Sequence, residues 1–234
     1  MSNETKETKE TKELAVVYQI DGNEIKLTPS IVQQYIVGSE SKITMQEFKF
    51  FTELCKVQKL NPFLKEAYCI KYGNDPATIV VGKDVFVKRA VNNPQYNGKE
   101  TGIIVQTEDG EIKERNGCFF APGETVIGGW ARVYRKDREH PEYMSVSVDE
   151  VAGKKKDGNF NMNWANKRAT MVEKVAKVRA LREAFIDDLQ GMYVEEEFEA
   201  DKPQKVQEPV KGDVIEVQAE VVEAEVEQVN FDAL

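Results

Sequence analysis

Between Arg132 and Arg182 the sequence carries thirteen lysines and arginines against seven acids, and their spacing suits a phosphate backbone better than a reacting bond. At ~100° per residue in a helix, Lys167, Lys174 and Arg182 fall in one row, interleaved with Met171, Val178 and Phe185. Arg168 and Arg179 form a second row beside Val172 and Val175, and Lys177 adds a further cation. Neither row lies on a cleanly polar face. The helix is therefore expected to be largely covered, with its cations, and Trp164 at its start, directed into a groove where a polyanion could be tracked. The alternative is a solvated helix face satisfied by local acids, of which Glu173 and Glu183 are nearby.

Two further segments fit the same chemistry. In the strand-like run from Trp130 to Arg138, alternation puts Trp130, Arg132, Tyr134 and Lys136 on one face, and Arg138 follows. A face that mixes aromatics with cations can combine base stacking with phosphate attraction, although an ordinary exposed sheet face has the same pattern. The Lys154-Lys155-Lys156 run is flexible charge that could order on a phosphate backbone or remain a solvated loop.

Catalytic chemistry finds less to work with. There is one histidine, His140, and three widely spaced cysteines, Cys55, Cys69 and Cys118, which suggest neither a zinc knuckle nor a disulfide framework. Gly82-Lys83-Asp84 lacks the glycine spacing and the hydroxyl residue of a phosphate-binding P-loop, so no nucleotide cofactor is expected. Mg²⁺ enters only as a DNA counterion. A metal-dependent nuclease would need clustered carboxylates. Asp149-Glu150 or Asp187-Asp188 are the candidates, but adjacent carboxylates are more often surface.

The elements that must position these residues are legible from turn and cap signals. Alternation on either side of Asp21-Gly22-Asn23 predicts a β-hairpin from Leu14, with Val17, Ile20, Ile25 and Leu27 available to one strand pair. Thr28-Pro29 opens a short helix to about Val37. Thr44 to Glu47 is a capping box before a second helix that Asn61-Pro62 stops. Strands are expected over 67–72, 78–81, 102–106, 111–120, 126–134 and 143–148, with a helix over 84–91. A mobile loop spans 152–163, and a long helix runs from about Trp164 to Gln190, ended by Gly191. The fold class is α+β: a small antiparallel sheet packed with helices, an N-terminal hairpin and a long C-terminal core helix.

Charge is divided along the chain. The net charge is -9 over 234 residues, which by itself argues against a nucleic-acid binder. Residues 195–234 hold thirteen acids against three lysines and residues 1–13 four against three, which leaves +2 on the middle. A basic region joined to an acidic tail suggests a polyanion site. Residues 1–13 and 195–234 are expected to be disordered, with Val229, Phe231 and Leu234 either solvating or docking on a partner. The folded domain is expected over 14–194. No apolar run reaches the ~18 residues of a membrane span, and the start lacks a signal-peptide core, so a cytoplasmic protein without membrane contact is expected.

Several segments together resemble the RecT/Redβ/Bet family of phage annealing proteins. They are Leu60 to Tyr68 (LNPFLKEAY), Val80 to Asp84 (VVGKD), Tyr134 to Pro141 (YRKDREHP), and Lys167-Arg168 followed by Arg182 to Phe185. Their joint order spans about residues 45–195. The resemblance implies ATP-independent annealing of complementary DNA through single-strand and duplex-intermediate binding, with assembly into rings or helical filaments in the bacterial host. It also implies cooperation with a phage 5′-to-3′ exonuclease and a host single-strand binding protein. The family's DNA-contacting positions fall on Lys65, Lys167, Arg168, Lys174 and Arg182. The chain departs from the Redβ branch at its C-terminus, where an acidic tail stands in place of a folded partner-binding domain. Residues 14–40 are the expected protomer contact. A simple single-strand coating protein is the remaining alternative.

Overall fold

A computed structural model describes residues 14–37, 42–71, 75–155 and 157–200. Residues 1–13, residues 38–40 of the expected protomer contact, Lys156, and the tail beyond 200 with Val229, Phe231 and Leu234 lie outside the described residues.

The chain opens with a hairpin of β1 (Val16–Ile20) and β2 (Asn23–Leu27). Asp21 and Gly22 both take positive φ, 48° and 81°, which is the turn whose twist matches the strands. The register pairs Tyr18 with Ile25, so Tyr18, Ile25 and Leu27 are buried and Val17 is exposed. This face differs from the one expected, because Tyr18 faces inward and donates its hydroxyl to the Leu60 carbonyl at 2.8 Å. Thr28 then caps α1 (Pro29–Ile31), which continues as a π-helical turn over Val32–Ile36.

Helix α2 (Met45–Val57) begins with the expected capping box: the Thr44 hydroxyl accepts from the Glu47 amide at 3.2 Å and Glu47 accepts from the Thr44 amide at 2.7 Å. Its apolar positions Phe48, Phe51 and Cys55 are fully buried. Glu47 also accepts from the buried Lys71 ammonium and from the Ala77 amide, each at 2.8 Å. Burial alone would raise the Glu47 carboxyl. These donors overcome it and hold the group at about 2, below its ordinary 4.5. One carboxylate thus ties the start of α2 to the segments flanking the small ribbon β3 (Ala67–Ile70) and β4 (Thr78–Val81).

The LNPF segment makes a 3₁₀ turn over Pro62–Leu64, capped by Asn61. It meets the start of α3 (Lys83–Asn92) at Gly82, where a Cβ would lie 2.7 Å from the Lys65 carbonyl oxygen. Two of the segments that carry the resemblance are therefore one packed joint, and Gly82 is needed for its closeness.

The remaining strands, β5 (Tyr96–Gln106), β6 (Ile112–Asn116), β7 (Thr125–Arg135) and β8 (Glu142–Ser147), form an antiparallel sheet in the order β6-β5-β7-β8. After α4 (Val148–Val151) comes the long helix α5 (Met162–Ala184), then α6 (Ile186–Leu189) and α7 (Glu195–Ala200). Helix α5 packs chiefly on β7 and β8, burying Val172, Val175, Val178 and Leu181 completely. Each such side chain contributes roughly 1.5–3 kcal/mol. No helix among the described residues is long and apolar enough to cross a membrane.

The architecture is α+β with small antiparallel sheets, as the patterning predicts. Several boundaries differ, and β5 starts at Tyr96 where a strand is expected only from 102. Strand β6 stops at Asn116, which leaves Phe119 and Phe120 in a loop. Helix α5 ends at Ala184, because Phe185 turns out of helical geometry (φ -130°, ψ 54°) and Arg135 donates to the Ala184 carbonyl at 2.5 Å, satisfying a terminal acceptor. Residues 195–200, assigned to the tail from composition, form α7, whose carboxylates find cations on α5.

Two stability outcomes follow. A Cβ at Gly129 would lie 2.6 Å from the Val172 carbonyl oxygen of α5, so Gly129→Ala should lower stability by roughly 1–3 kcal/mol in urea unfolding; an unchanged midpoint would contradict the close approach. Glu47→Gln leaves the Lys71 ammonium buried without its counter-charge and should cost about 3 kcal/mol. Because the folded Glu47 carboxyl is depressed, its contribution is complete above about pH 4.5 and lost as pH falls toward 2. The wild-type midpoint should therefore fall more steeply than that of Glu47→Gln across this window.

Candidate nucleic-acid interface

Helix α5 is not uniform. Asn161 caps its start by accepting from the Trp164 amide at 3.1 Å, and the backbone leaves helical geometry at Lys167 (φ -133°, ψ 34°). The break exposes Lys167 and leaves Arg168 half-buried. The Arg168 guanidinium lies 4.7 Å from the Phe160 ring centroid, and among the described contacts neither Lys167 nor Arg168 forms an ion pair. A guanidinium stacked on an aromatic ring keeps its charge and most of its donors available.

Arg168 lies between two cavities. One, of about 600 Å³, reaches across Ile104, Ile127, Ser147 and Phe160. The other, of about 510 Å³, is lined by Phe120, Asn166, Lys167 and Thr170. Thr125 and Val126 also line both, so the two open onto a common wall. The 118–121 loop rests on the start of α5 through Cys118, whose thiol reaches the Ala169 carbonyl at 3.8 Å. Phe119 beside it is 80% exposed and Phe120 43%. Exposed neighbouring aromatics beside unpaired cations are the combination that stacks bases while holding a backbone. Phe119, Phe120 and Phe160 are absent from the residues singled out by sequence. The signal was two adjacent aromatics ahead of Pro122-Gly123, where strand alternation would bury only one.

The 152–163 segment is more ordered than its composition suggests. Lys154 bridges Phe160, the Lys155 amide donates to the Asn159 carbonyl at 2.7 Å, and Asn161 donates to Gly153 at 2.9 Å. Lys154 and Lys155 are exposed, and Phe160 links their loop to Arg168. Trp164 is fully buried and lines neither cavity, so it belongs to the core and is not a stacking surface.

The C-terminal half of α5 is different. Lys174 pairs with Glu196, and Lys177 with Glu173 at 3.0 Å. Arg179 pairs with Glu150 at 2.8 Å. Arg182 binds Glu197 through two nitrogens, at 3.0 and 2.5 Å, reaches the Met192 carbonyl at 3.1 Å, and lies over the Tyr193 ring. Each of the two cationic rows expected from periodicity is thus divided into an unpaired end, Lys167 or Arg168, and a neutralised one.

On β7 the predicted face is present, but its charges are internally satisfied. Arg132 stacks between Trp130 and Tyr143, at 4.5 and 4.9 Å, and pairs with Glu114 at 2.9 Å. Glu114 raises the Arg132 guanidinium above its ordinary value, against a smaller opposing effect of burial. Tyr134 donates to Glu100 at 3.0 Å. Lys136 lies past the strand end and donates to the Pro94 carbonyl at 2.9 Å, while Arg138 reaches Glu142 at 3.5 Å. Arg135, on the helix-facing side, joins Asp137, Ala184 and the Phe185 ring, so two more resemblance segments form one joint. Lys65 is exposed at the end of the 3₁₀ turn in left-handed geometry, and no described contact brings it to Arg168. Of the proposed carboxylate pairs, Glu150 is held by Arg179 and Asp188 accepts from Asn93 at 2.7 Å.

No curated protein matches the sequence. The family model of the RecT family matches residues 22–209, a span that includes both cavities, the kinked start of α5 and its neutralised end. The match covers well over half of the chain, and the protein belongs to the RecT family, the phage proteins of DNA recombination by strand annealing.

Proposed function

We propose that this protein binds single-stranded DNA along the groove at the kinked end of α5 and pairs it with a complementary strand without nucleotide hydrolysis. The observation that carries the reading is the placement of Arg168 on the wall of both cavities and of Lys167 on one, neither in an ion pair among the described contacts, with Phe120 in the same wall and exposed Phe119 next to it in the chain. Lys154 and Lys155, with Lys156 next in sequence, extend the charge. Binding through phosphates releases counterions and is indifferent to sequence. Matched bases gain stacking that mismatched ones do not, so discrimination comes from the DNA itself. Mg²⁺ acts only as a counterion.

Protomers line up along the DNA in a ring or helical filament, because one groove is too short to hold a useful duplex. Residues 14–40 are the proposed contact, and exposed Val17 and Tyr35 support it. A 5′-to-3′ exonuclease would supply single strands, and a host single-strand binding protein would be exchanged for this one in the bacterial cytoplasm.

Purified protein should speed the pairing of complementary oligonucleotides in the absence of ATP. Binding to each strand with slower pairing would instead identify a coating protein, and Mg²⁺-dependent loss of the oligonucleotides a nuclease. Lys167→Ala with Arg168→Ala should weaken binding and lower the slope of log affinity against log salt by about 1.4, at ~0.7 per phosphate contact. An unchanged slope in a folded variant would remove the groove from the scheme.

A further inference from the structure

We propose that α7 is an internal occupant of the cationic row on the C-terminal half of α5, and that a nucleic-acid backbone displaces it. The inference rests on the DNA-binding reading and adds a regulatory step to it. Glu196 and Glu197, only 3% and 7% exposed at their side chains, meet Lys174, Arg179 and Arg182. Lys174 and Arg182 are eight residues apart, about 12 Å along a helix, and a nucleic-acid strand offers a phosphate every ~3.4 Å of axis. The row therefore has the spacing and charge for several phosphates, and carboxylates hold it in their absence.

The cover is poorly suited to permanence. Helix α7 has six residues, too few to be stable alone, and four of them are glutamates. Glu196 Oε2 is buried and meets no donor among the described residues, a cost that a fully satisfied core contact would not carry. Met192 and Val194 anchor the approach to α7 in the core, and α7 itself is held by the ion pairs, by packing on α4 and β4, and by an edge contact between Phe198 and Tyr193, whose carbonyl accepts from the Val81 amide at 2.9 Å. Being covalently tethered, the helix competes at high local concentration, so weak phosphate contacts cannot open the row. A backbone already seated at Lys167 and Arg168 is tethered in the same way and can extend along α5 by exchanging one carboxylate at a time.

The test uses the full chain and a labelled oligothymidylate. Glu196→Gln with Glu197→Gln should bind on the order of tenfold tighter at moderate salt, with a slope steeper by about 1.4 for two released cations, Lys174 and Arg182, because Arg179 keeps Glu150 at 2.8 Å. Adding Lys174→Ala and Arg182→Ala should cancel the gain. Equal affinity and slope in a folded Gln variant would overturn the proposal. Hydrogen exchange on the wild-type protein decides independently if that variant does not fold: amides of 192–198 should exchange faster when the oligonucleotide is bound, and unchanged or slower exchange rejects displacement. If Lys167→Ala with Arg168→Ala weakens binding while these measurements show no release, the groove stands and the exchange falls. If wild-type protein does not bind the oligonucleotide, both fall.

Discussion

The arrangement of cations on this fold depends on how closely α5 lies against β7. At Gly129 there is no room for a single methyl group before the Val172 carbonyl. That contact fixes the middle of the helix, and Arg135 fixes its C-terminal end through the Ala184 carbonyl. Fully buried Val175, Val178 and Leu181 fill the space between them. A helix clamped in this way cannot rotate to satisfy its own charges. The cations at 167 and 168, one to two turns before Val172, are left where the regular helix breaks, and Lys174, Arg179 and Arg182 are held where α7 can reach them. Steric closeness at one glycine therefore sets the electrostatics of a surface well beyond it.

Periodicity alone could not separate the two ends of α5. Lys167, Lys174 and Arg182 do share a row, yet what decides their availability is the position of acids that come from elsewhere. Lys177 finds Glu173 one turn away, a pairing visible in the sequence. Glu196 and Glu197 stand 15 to 22 residues from the cations they meet and belong to a stretch whose composition reads as tail. Local codes were the readable part: the Thr44 box, the Asp21-Gly22 turn, the Asn61-Pro62 stop and the alternation of β7 all describe backbone geometry within a few residues. Trp164 and Phe119 show the opposite difficulty. Each is an aromatic near cations in sequence, and only tertiary packing decides that Trp164 is core and Phe119 surface.

The resemblance segments are informative in a different way from what their charges suggest. LNPF and VVGKD meet at Lys65 and Gly82, and YRKD meets the Ala184-Phe185 end of α5 through Arg135. Most of these residues build joints between elements. Only Lys167-Arg168 among them lies unpaired at the cavities. A family signature of this kind identifies a scaffold first, and the residues that touch a ligand are found by asking which charges the scaffold leaves unsatisfied.

The distribution of satisfied charge also bears on how annealing could work. A net charge of -9 repels a polyanion at long range, and on the sheet face Glu114 and Glu100 engage Arg132 and Tyr134. Attraction is therefore confined to a narrow track rather than spread over a plane. In the proposed scheme that confinement has a purpose. A strand held broadly by both backbone and bases would be coated and shielded from its complement. A strand held along one side by phosphates, with a few bases resting on Phe119 and Phe120, keeps its pairing edges open to a second strand. Local neutralisation elsewhere on the surface is then as much a part of the mechanism as the cations that remain free.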